Sequence, residues 1–135
     1  MASILLDTSA IFALLNAEDS HHHRAAEIHQ AIVSRKASLV LPNFLLAESH
    51  TILNRRMGYQ VAKEFLDAAL RDFEIERVTL EDEWTAHAIL HQTTRSGDLS
   101  YFDAVAVAVA ERLGIKEIFS FDAHFERAGL TLSRP

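Results

Sequence analysis

The sequence contains no cysteine, only 4 glycines and 2 prolines, and no long hydrophobic run. Without cysteine, the chain forms no disulfide, no thiolate metal site and no thiol nucleophile. No apolar stretch approaches the length of a membrane span, and the N-terminus lacks the layout of a secretory signal, so we expect a soluble, cytoplasmic protein. The 135 residues, 49% of them hydrophobic, predict one domain over residues 1–135 with a substantial core.

Positive charge is also scarce, since 13 lysines and arginines face 19 aspartates and glutamates, for a net charge of −6. This balance argues against a nucleic-acid binder that relies on a broad basic surface. An acidic protein can still process nucleic acid if its carboxylates hold divalent cations, because the bound ions reverse the sign of the local field.

Short apolar runs alternate with amphipathic stretches, which predicts an α/β fold with parallel strands covered on both faces. The predicted strands are Ile4–Leu6, Ser38–Pro42, Phe73–Leu80 (near a sheet edge), Glu117–Phe121 and Leu130–Leu132. The predicted helices are Thr8–Asn16, His21–Arg35, Asn43–Met57, Gln60–Arg71, Glu81–Thr94, Tyr101–Leu113 and Ala123–Arg127.

Two acids directly follow buried strands. Asp7 comes after the first strand and Asp122 after the strand near residue 120. Because ligands of open α/β sheets bind at the carboxyl ends of the strands, we expect these two carboxylates at one functional edge. The structural alternative for Asp122 is a cap on the short helix that follows it.

Two further acids lie on predicted helices. Glu48 lies on the helix face of Phe44 and Ile52, an apolar arc that a solvated glutamate would not occupy. Asp103 flanks a buried face in the first turn of its helix, but Ser100-x-x-Asp103 also matches a capping box. For Glu48 the alternative is a side chain that pairs with an arginine or extends past the apolar face to solvent.

Carboxylates that converge in a partly dry cleft repel one another unless cations compensate. No lysine or histidine is expected to compensate these four acids, so a divalent metal is the simplest resolution. Ligands that are all oxygen favour Mg²⁺ or Mn²⁺. Such an ion activates water and stabilises charge during phosphodiester hydrolysis.

Two histidine groups are predicted to be structural rather than metal-binding. His21, His22 and His23 are consecutive, so they point about 100° apart on a helix and cannot chelate one ion together. His87 and His91 are four residues apart, but no third ligand accompanies them.

Four short motifs together resemble the successive acidic motifs of PIN-domain ribonucleases, in particular the VapC-like toxins of bacterial toxin–antitoxin pairs. They are Ile4-Leu5-Leu6-Asp7-Thr8-Ser9, Leu46-Ala47-Glu48, Leu99-Ser100-Tyr101-Phe102-Asp103-Ala104 and Ser120-Phe121-Asp122-Ala123-His124-Phe125. The resemblance covers nearly the whole chain. It implies a three-layer α/β/α sandwich, Mg²⁺- or Mn²⁺-dependent endoribonuclease activity on RNA, a homodimer and inhibition by a small antitoxin protein.

The resemblance also assigns roles to individual positions. It implies that the metal-binding and catalytic acids are Asp7, Glu48, Asp103 and Asp122. It further implies that Ser9 and Ser120 line the site and orient water or acids. Asp98, five residues before Asp103, is an additional acid that we expect to be peripheral. Arg55 and Arg56 are candidates for contacts with RNA phosphates.

Two alternative functions remain open at this point. A phosphatase of the haloacid dehalogenase type would use Asp7 as a nucleophile, but that chemistry wants a second acid where this chain has Ser9. The other alternative is a metal-free RNA-binding or protein-docking module of the same fold, in which Asp103 and Asp122 are only helix caps.

Overall fold

The structure, a computed structural model, describes residues 2–92 and 99–135. The strands are β1 (Ser3–Leu6), β2 (Ser38–Pro42), β3 (Glu74–Glu76), β4 (Glu117–Phe119) and β5 (Thr131–Leu132). The helices are α1 (Thr8–Leu15), α2 (His22–Ser34), α3 (Asn43–Met57), α4 (Tyr59–Asp72), α5 (Leu80–His91), α6 (Tyr101–Leu113) and α7 (His124–Arg127).

The five strands form one sheet in the order β3-β2-β1-β4-β5, and every pair is parallel. Helices flank the sheet, which confirms the predicted α/β/α architecture. Crossovers between parallel strands are right-handed, so the helices on the way to β2 and β3 cover the face opposite to those leading to β4 and β5.

The core lies where the sequence has its longest apolar segments. Ile4, Leu5 and Leu6 are fully buried, as expected for a central strand covered on both faces. In α6 the whole run from Ala104 to Ala110 is buried. Its alanines let neighbouring elements approach on all sides, and Gly114 ends the helix in the left-handed conformation (φ 69°).

The largest difference from the sequence-based elements lies around β3. The predicted strand Phe73–Leu80 is wrong in length, because only Glu74–Glu76 pairs, although the strand does lie at the sheet edge. A capping box explains the early end: the Thr79 hydroxyl accepts from the Asp82 amide (3.1 Å), and the Asp82 carboxylate accepts from the Thr79 amide (3.0 Å). Helix α5 therefore begins at Leu80.

Within residues 2–92 and 99–135, no helix has both the length and the apolar character needed to cross a membrane.

Candidate active site

The candidate site lies where the chain reverses its direction along the sheet. From β1 the chain proceeds outward through β2 to β3, and then returns to the other side of β1 to form β4. In open α/β sheets such a switch point leaves a crevice at the carboxyl ends of the two central strands. Asp7 directly follows β1, and Ser120 and Asp122 follow β4, so the strand order itself brings these side chains to one crevice.

Asp7 is a buried carboxylate, only 5% exposed. It is the N-cap residue of α1, and its Oδ2 accepts a hydrogen bond from the Ser9 hydroxyl (2.7 Å) and a longer one from the Ser9 amide (3.4 Å). The same oxygen accepts from the Ser120 hydroxyl (2.8 Å). Among the described residues, these hydrogen bonds come from neutral donors, so no positive side chain balances the Asp7 charge.

The pKa of Asp7 is raised above its ordinary value, chiefly because burial removes the carboxylate from water. The hydroxyls of Ser9 and Ser120 act in the opposite direction and stabilise the charged form. The negative charges of Asp122 and Asp103 raise the pKa further. Asp103 and Asp122 therefore lie close enough to Asp7 for their charges to act on its carboxylate.

Ser9 and Ser120 connect the two loops of the crevice. Their hydroxyl oxygens lie 3.2 Å apart, and Ser9 Oγ also accepts from the Phe121 amide (3.1 Å). Ser120 Oγ accepts from the Asp122 amide (3.1 Å). Both serines thus hold the loop after β4 against Asp7, which fits the orienting role expected for them.

Asp103 takes part in two structural contacts. The Ser100 hydroxyl accepts from the Asp103 amide (3.2 Å) and the Asp103 Oδ2 accepts from the Ser100 amide (3.3 Å), so the capping box is present. His124 Nε2 lies 3.0 Å from the same Oδ2, which is an ion-pair distance. The expectation that no histidine stands beside the acids was wrong, because the loop after β4 turns α7 toward the start of α6.

Asp122 does not act as a helix cap. Helix α7 begins at His124, and its N-cap residue is Ala123, with no side-chain hydrogen bond to the helix end. The contacts therefore do not support the alternative in which Asp122 serves only to cap α7. Its half-buried carboxylate instead contributes to the raised pKa of Asp7.

Glu48 is less closely tied to the other acids. It is half-buried on α3, at the border of the face formed by the buried Leu45, Ser49 and Leu53. Its neighbour Ser49 hydrogen-bonds Thr8 (3.1 Å), the residue after Asp7, so α3 is fastened beside the crevice. No described contact joins Glu48 itself to Asp7.

The remaining predicted positions are Asp98, Arg55 and Arg56. Asp98 is outside the described residues. Arg55 and Arg56 are exposed in the last turn of α3. The guanidinium of Arg56 lies over the Phe12 ring, 5.3 Å from its centroid, while no described ion pair involves Arg55.

The histidine groups are engaged as structural side chains. His22 Nδ1 lies 2.8 Å from the Ala13 carbonyl oxygen, and His23 forms an ion pair with Glu27 (3.0 Å). His87 and His91 stack on each other with centroids 4.2 Å apart. These contacts show how the rings are held, and the absence of metal binding by these histidines stays a prediction.

The donor set suits a hard divalent cation, although three ligands are not preassembled. Within residues 2–92 and 99–135, no three acidic or histidine side chains meet the geometry of a finished metal site. The described hydrogen bonds and ion pairs of Asp7 and Asp103 all involve Oδ2. Each therefore retains Oδ1 as a ligand of the kind that Mg²⁺ and Mn²⁺ prefer, and the uncompensated charge at Asp7 favours a cation.

Sequence reasoning missed one residue of this site, His124. The signal was present, because His124 lies inside the last acidic motif, two residues after Asp122. What the sequence does not reveal is that its partner is Asp103, 21 residues earlier, rather than the adjacent acid.

Comparison with known proteins identifies a sequence family and a relative. A sequence model described as the PIN domain matches residues 4–130. The 23S rRNA-specific endonuclease VapC20 of Mycobacterium tuberculosis is 33% identical over 137 aligned residues, which cover 98% of each chain.

Solved structures also match. The crystal structure of M. tuberculosis VapC20, titled a sarcin-ricin loop cleaving toxin, superposes with a TM-score of 0.82 at 33% identity and covers 98% of this chain and 99% of that one. VapBC2 from Rickettsia felis, bound to a DNA fragment from its promoter, has a TM-score of 0.75 at 14% identity, with 97% of both chains covered. The latter match concerns the fold alone.

Proposed function

This chain belongs to the PIN-domain family, and on that premise we propose that it is a divalent-metal-dependent endoribonuclease, the toxin of a toxin–antitoxin pair. The observation that carries the proposal is the buried, uncompensated Asp7 at the β1/β4 switch point, with Asp103 and Asp122 close enough to raise its pKa. The relative VapC20 is a 23S rRNA endonuclease, so we propose ribosomal RNA as the substrate class and the cytoplasm as the place of action.

Asp7 and Asp103 would hold the ion directly, with Asp122 and Glu48 completing the acidic crevice. A bound Mg²⁺ or Mn²⁺ supplies activation of water and stabilisation of phosphate charge. The chain's own contribution is to orient the ligands: Ser9 and Ser120 donate hydrogen bonds to Asp7, the Ser100 amide donates to Asp103, and His124 Nε2 lies 3.0 Å from the Asp103 carboxylate without the geometry of a hydrogen bond. Burial of Asp7 also limits the access of bulk water to its carboxylate.

The haloacid dehalogenase alternative is disfavoured by the geometry. That chemistry needs an acid at position 9, but Ser9 instead donates its hydroxyl to Asp7.

The decisive experiment uses purified protein freed of any partner. We expect it to cleave ribosomal RNA in Mg²⁺ or Mn²⁺ and to stop when EDTA removes the metal, with activity restored by adding excess metal. Primer extension locates the cut. Cleavage that persists in EDTA would exclude the mechanism, and an absence of cleavage on RNA and ribosomes would favour the non-catalytic module of the same fold.

The antitoxin partner is part of the proposal. An apolar groove of about 1040 Å³ lies between α1, α2, β2 and α4, with Ile32, Leu39 and Phe65 among its lining residues. Its rim carries Glu64 and Asp72, so we expect an apolar antitoxin segment flanked by basic residues. Val33, 59% exposed, also lines this groove.

A matched pair of variants tests the antitoxin groove. We expect Val33→Glu to weaken the complex with a co-expressed antitoxin, because a charge in an apolar interface is left unpaired. The control is Leu70→Glu, which introduces the same charge at a similarly exposed apolar side chain that does not line the groove. Equal co-purification of both variants with the antitoxin would argue against this docking site.

We also propose a homodimer. The large exposed side chains of Leu80, Trp84 and Tyr101 support it, since such apolar surface commonly marks an interface. Sedimentation equilibrium of the purified chain tests this part of the proposal independently, and a monomer at micromolar concentration would contradict it.

A further inference from the structure

A second cavity adjoins the acidic crevice on the side of β5. Its volume is about 260 Å³, and its polar lining consists of Arg24, Ser120, Glu126, Ser133 and Arg134, with Phe121 beside them. Ser120 contributes to both the acidic crevice and this cavity, because its hydroxyl donates to Asp7 (2.8 Å) while the residue also lines the cavity. The cavity and the candidate active site therefore share Ser120 as a common wall residue.

The fold brings the two arginines to this place from opposite ends of the chain. Strand β5 pairs with β4 in the register Glu117 to Thr131 and Ile118 to Leu132, and continuing it by two residues sets Arg134 level with Ser120. Arg24 lies one turn before the buried Ile28 on the same face of α2, so it reaches the crevice side of the sheet.

The lining of the cavity carries a net positive charge, although the protein as a whole is acidic. Arg35, Arg71 and Arg112 form ion pairs with carboxylates, whereas none of the described ion pairs within residues 2–92 and 99–135 involves Arg24 or Arg134. One carboxylate, that of Glu126, lines the same cavity, so two guanidinium groups against one carboxylate leave a net positive charge. The Ser133 hydroxyl is already used, since it donates to Glu117 (2.7 Å).

The wall of the cavity also carries a stacked aromatic pair. The His21 ring lies parallel to the Phe121 ring, with 4.4 Å between centroids and 10° between planes. Of the two rings, that of Phe121 lines the cavity, and in the sequence Phe121 stands between Ser120, which donates to Asp7, and Asp122. Aromatic side chains beside paired arginines are the combination that single-stranded nucleic acid uses, bases on rings and phosphates on guanidinium groups.

We propose that this cavity is a subsite for a non-scissile phosphate of the RNA strand, bound by Arg24 and Arg134. The proposal rests on the proposed ribonuclease function and deepens it, because it states how an acidic enzyme retains a polyanion. The four acids of the crevice repel RNA when no metal is bound, and the subsite supplies positive charge immediately outside them. A phosphate bound there would also hold one neighbouring nucleotide at a defined position relative to the cleaved bond.

Steady-state cleavage of a short RNA by the double variant Arg24→Gln/Arg134→Gln tests the subsite from the protein side. We expect KM to rise at least tenfold with kcat nearly unchanged, because the contact positions the strand and does not touch the reacting atoms. The slope of log KM against log salt should fall by about 0.7, the value for one phosphate contact on a single strand. Melting curves should match the wild type.

The matched control is Arg77→Gln. Arg77 is exposed, has no described side-chain ion pair and follows β3 at the opposite edge of the sheet. It removes one positive charge from the protein without touching the cavity, as each of the single variants Arg24→Gln and Arg134→Gln does, so comparison with those single variants separates a loss at the cavity from a loss of net charge. We expect its KM and salt slope to equal those of the wild type.

Replacing single phosphates of the RNA by uncharged methylphosphonates tests the subsite from the ligand side. One position flanking the cut should weaken wild-type binding tenfold or more but leave the double variant unaffected. If the wild type cleaves RNA and the double variant behaves like Arg77→Gln, the subsite is overturned and the nuclease stands. If the double variant loses antitoxin affinity at unchanged KM, the cavity binds protein instead. If the wild type cleaves no RNA, the underlying function has failed.

Discussion

Asp7 and Asp82 are both buried aspartates at helix starts, 5% and 1% exposed, yet their surroundings are opposite. Asp82 is closed by Arg112, whose Nε and Nη2 donate to its two oxygens at 2.9 Å each. Asp7 receives only neutral donors, the hydroxyls of Ser9 and Ser120 and the Ser9 amide, and two further aspartates raise its pKa.

The protonation equilibria reflect this difference. Burial alone would raise the pKa of Asp82, but hydrogen bonds from Arg112 and Thr79 and the Arg112 charge bring it below its ordinary value. At Asp7 the burial dominates and the pKa is raised. Arg112 also forms an ion pair with Glu76 (3.0 Å), so the carboxylates of Asp82 and Glu76 both have a positive partner within the protein. No described side chain of opposite charge contacts Asp7, and this difference is the reason why we propose a metal ion and a functional role at Asp7 but a structural role for Asp82.

The largest expected effect is at Asp7. We expect Asp7→Asn to lose more than about 100-fold in RNA cleavage, since altering even a group that orients a metal ligand costs about 10- to 100-fold. Without metal, the variant should be no less stable than the wild type, because it removes a buried charge and retains an acceptor for Ser9. Cleavage assays and metal-free melting curves check the two halves. A variant that unfolds while its folded fraction remains fully active would show that Asp7 is structural.

For the ion pair between Arg112 and Asp82, the expected loss is in stability. We expect Arg112→Met to destabilise the fold by about 2–4 kcal/mol, because it leaves the Asp82 carboxylate buried without its partner. Denaturant unfolding measures the loss, and cleavage per folded molecule should stay unchanged. Adding Asp82→Asn to this variant should restore part of the stability, because the unpaired charge is removed. An additive double variant would contradict the coupling.

A smaller effect is expected at His124. We expect His124→Ala to weaken Mn²⁺ binding about tenfold, as loss of a group that orients a metal ligand does. Calorimetric titration with Mn²⁺ measures this directly, without relying on cleavage. His124→Gln places an amide nitrogen near the former Nε2 and should recover most of the affinity. Equal affinity in the wild type and the alanine variant would show that the contact with Asp103 does not position the ligand.

The smallest effect is a difference in the pH dependence of stability without metal. Because the folded-state pKa of Asp7 is raised, its contribution is favourable at low pH and is lost as pH rises above about 3.9 through the folded value. Asp82 has the opposite sign, since its contribution is present above about pH 3.9 and is lost as pH falls through its lowered pKa.

Asparagine variants of the two aspartates separate their opposite contributions to the pH dependence of stability. At neutral pH we expect Asp7→Asn to be more stable than the wild type and Asp82→Asn to be less stable, with both differences shrinking in acid. Unfolding free energies between pH 3 and 7 check this. Stability differences of the same sign for both variants would contradict the opposite pKa shifts of Asp7 and Asp82.

Much of the local structure could be read from the sequence. The apolar Ile4–Leu6 run before Asp7 identified β1, and Ser100 and Gly114 gave both ends of α6, because caps and buried strands are encoded by adjacent residues. The nearness of Asp7, Asp103 and Asp122 also followed from the motif resemblance. The helix-wheel position of Glu48 was less accurate, since the buried face of α3 is centred on Ser49.

What only the tertiary structure decided are the contacts between residues far apart in the chain. The order β3-β2-β1-β4-β5 sets the switch point between β1 and β4, and no local pattern specifies that order. The same holds for His124 beside Asp103 and for Arg112 on Asp82, 30 residues away. The sequence determined which residues carry charge and where each element ends. Packing of those elements decided which charges meet a partner, because that depends on distances between elements that short-range preferences do not fix.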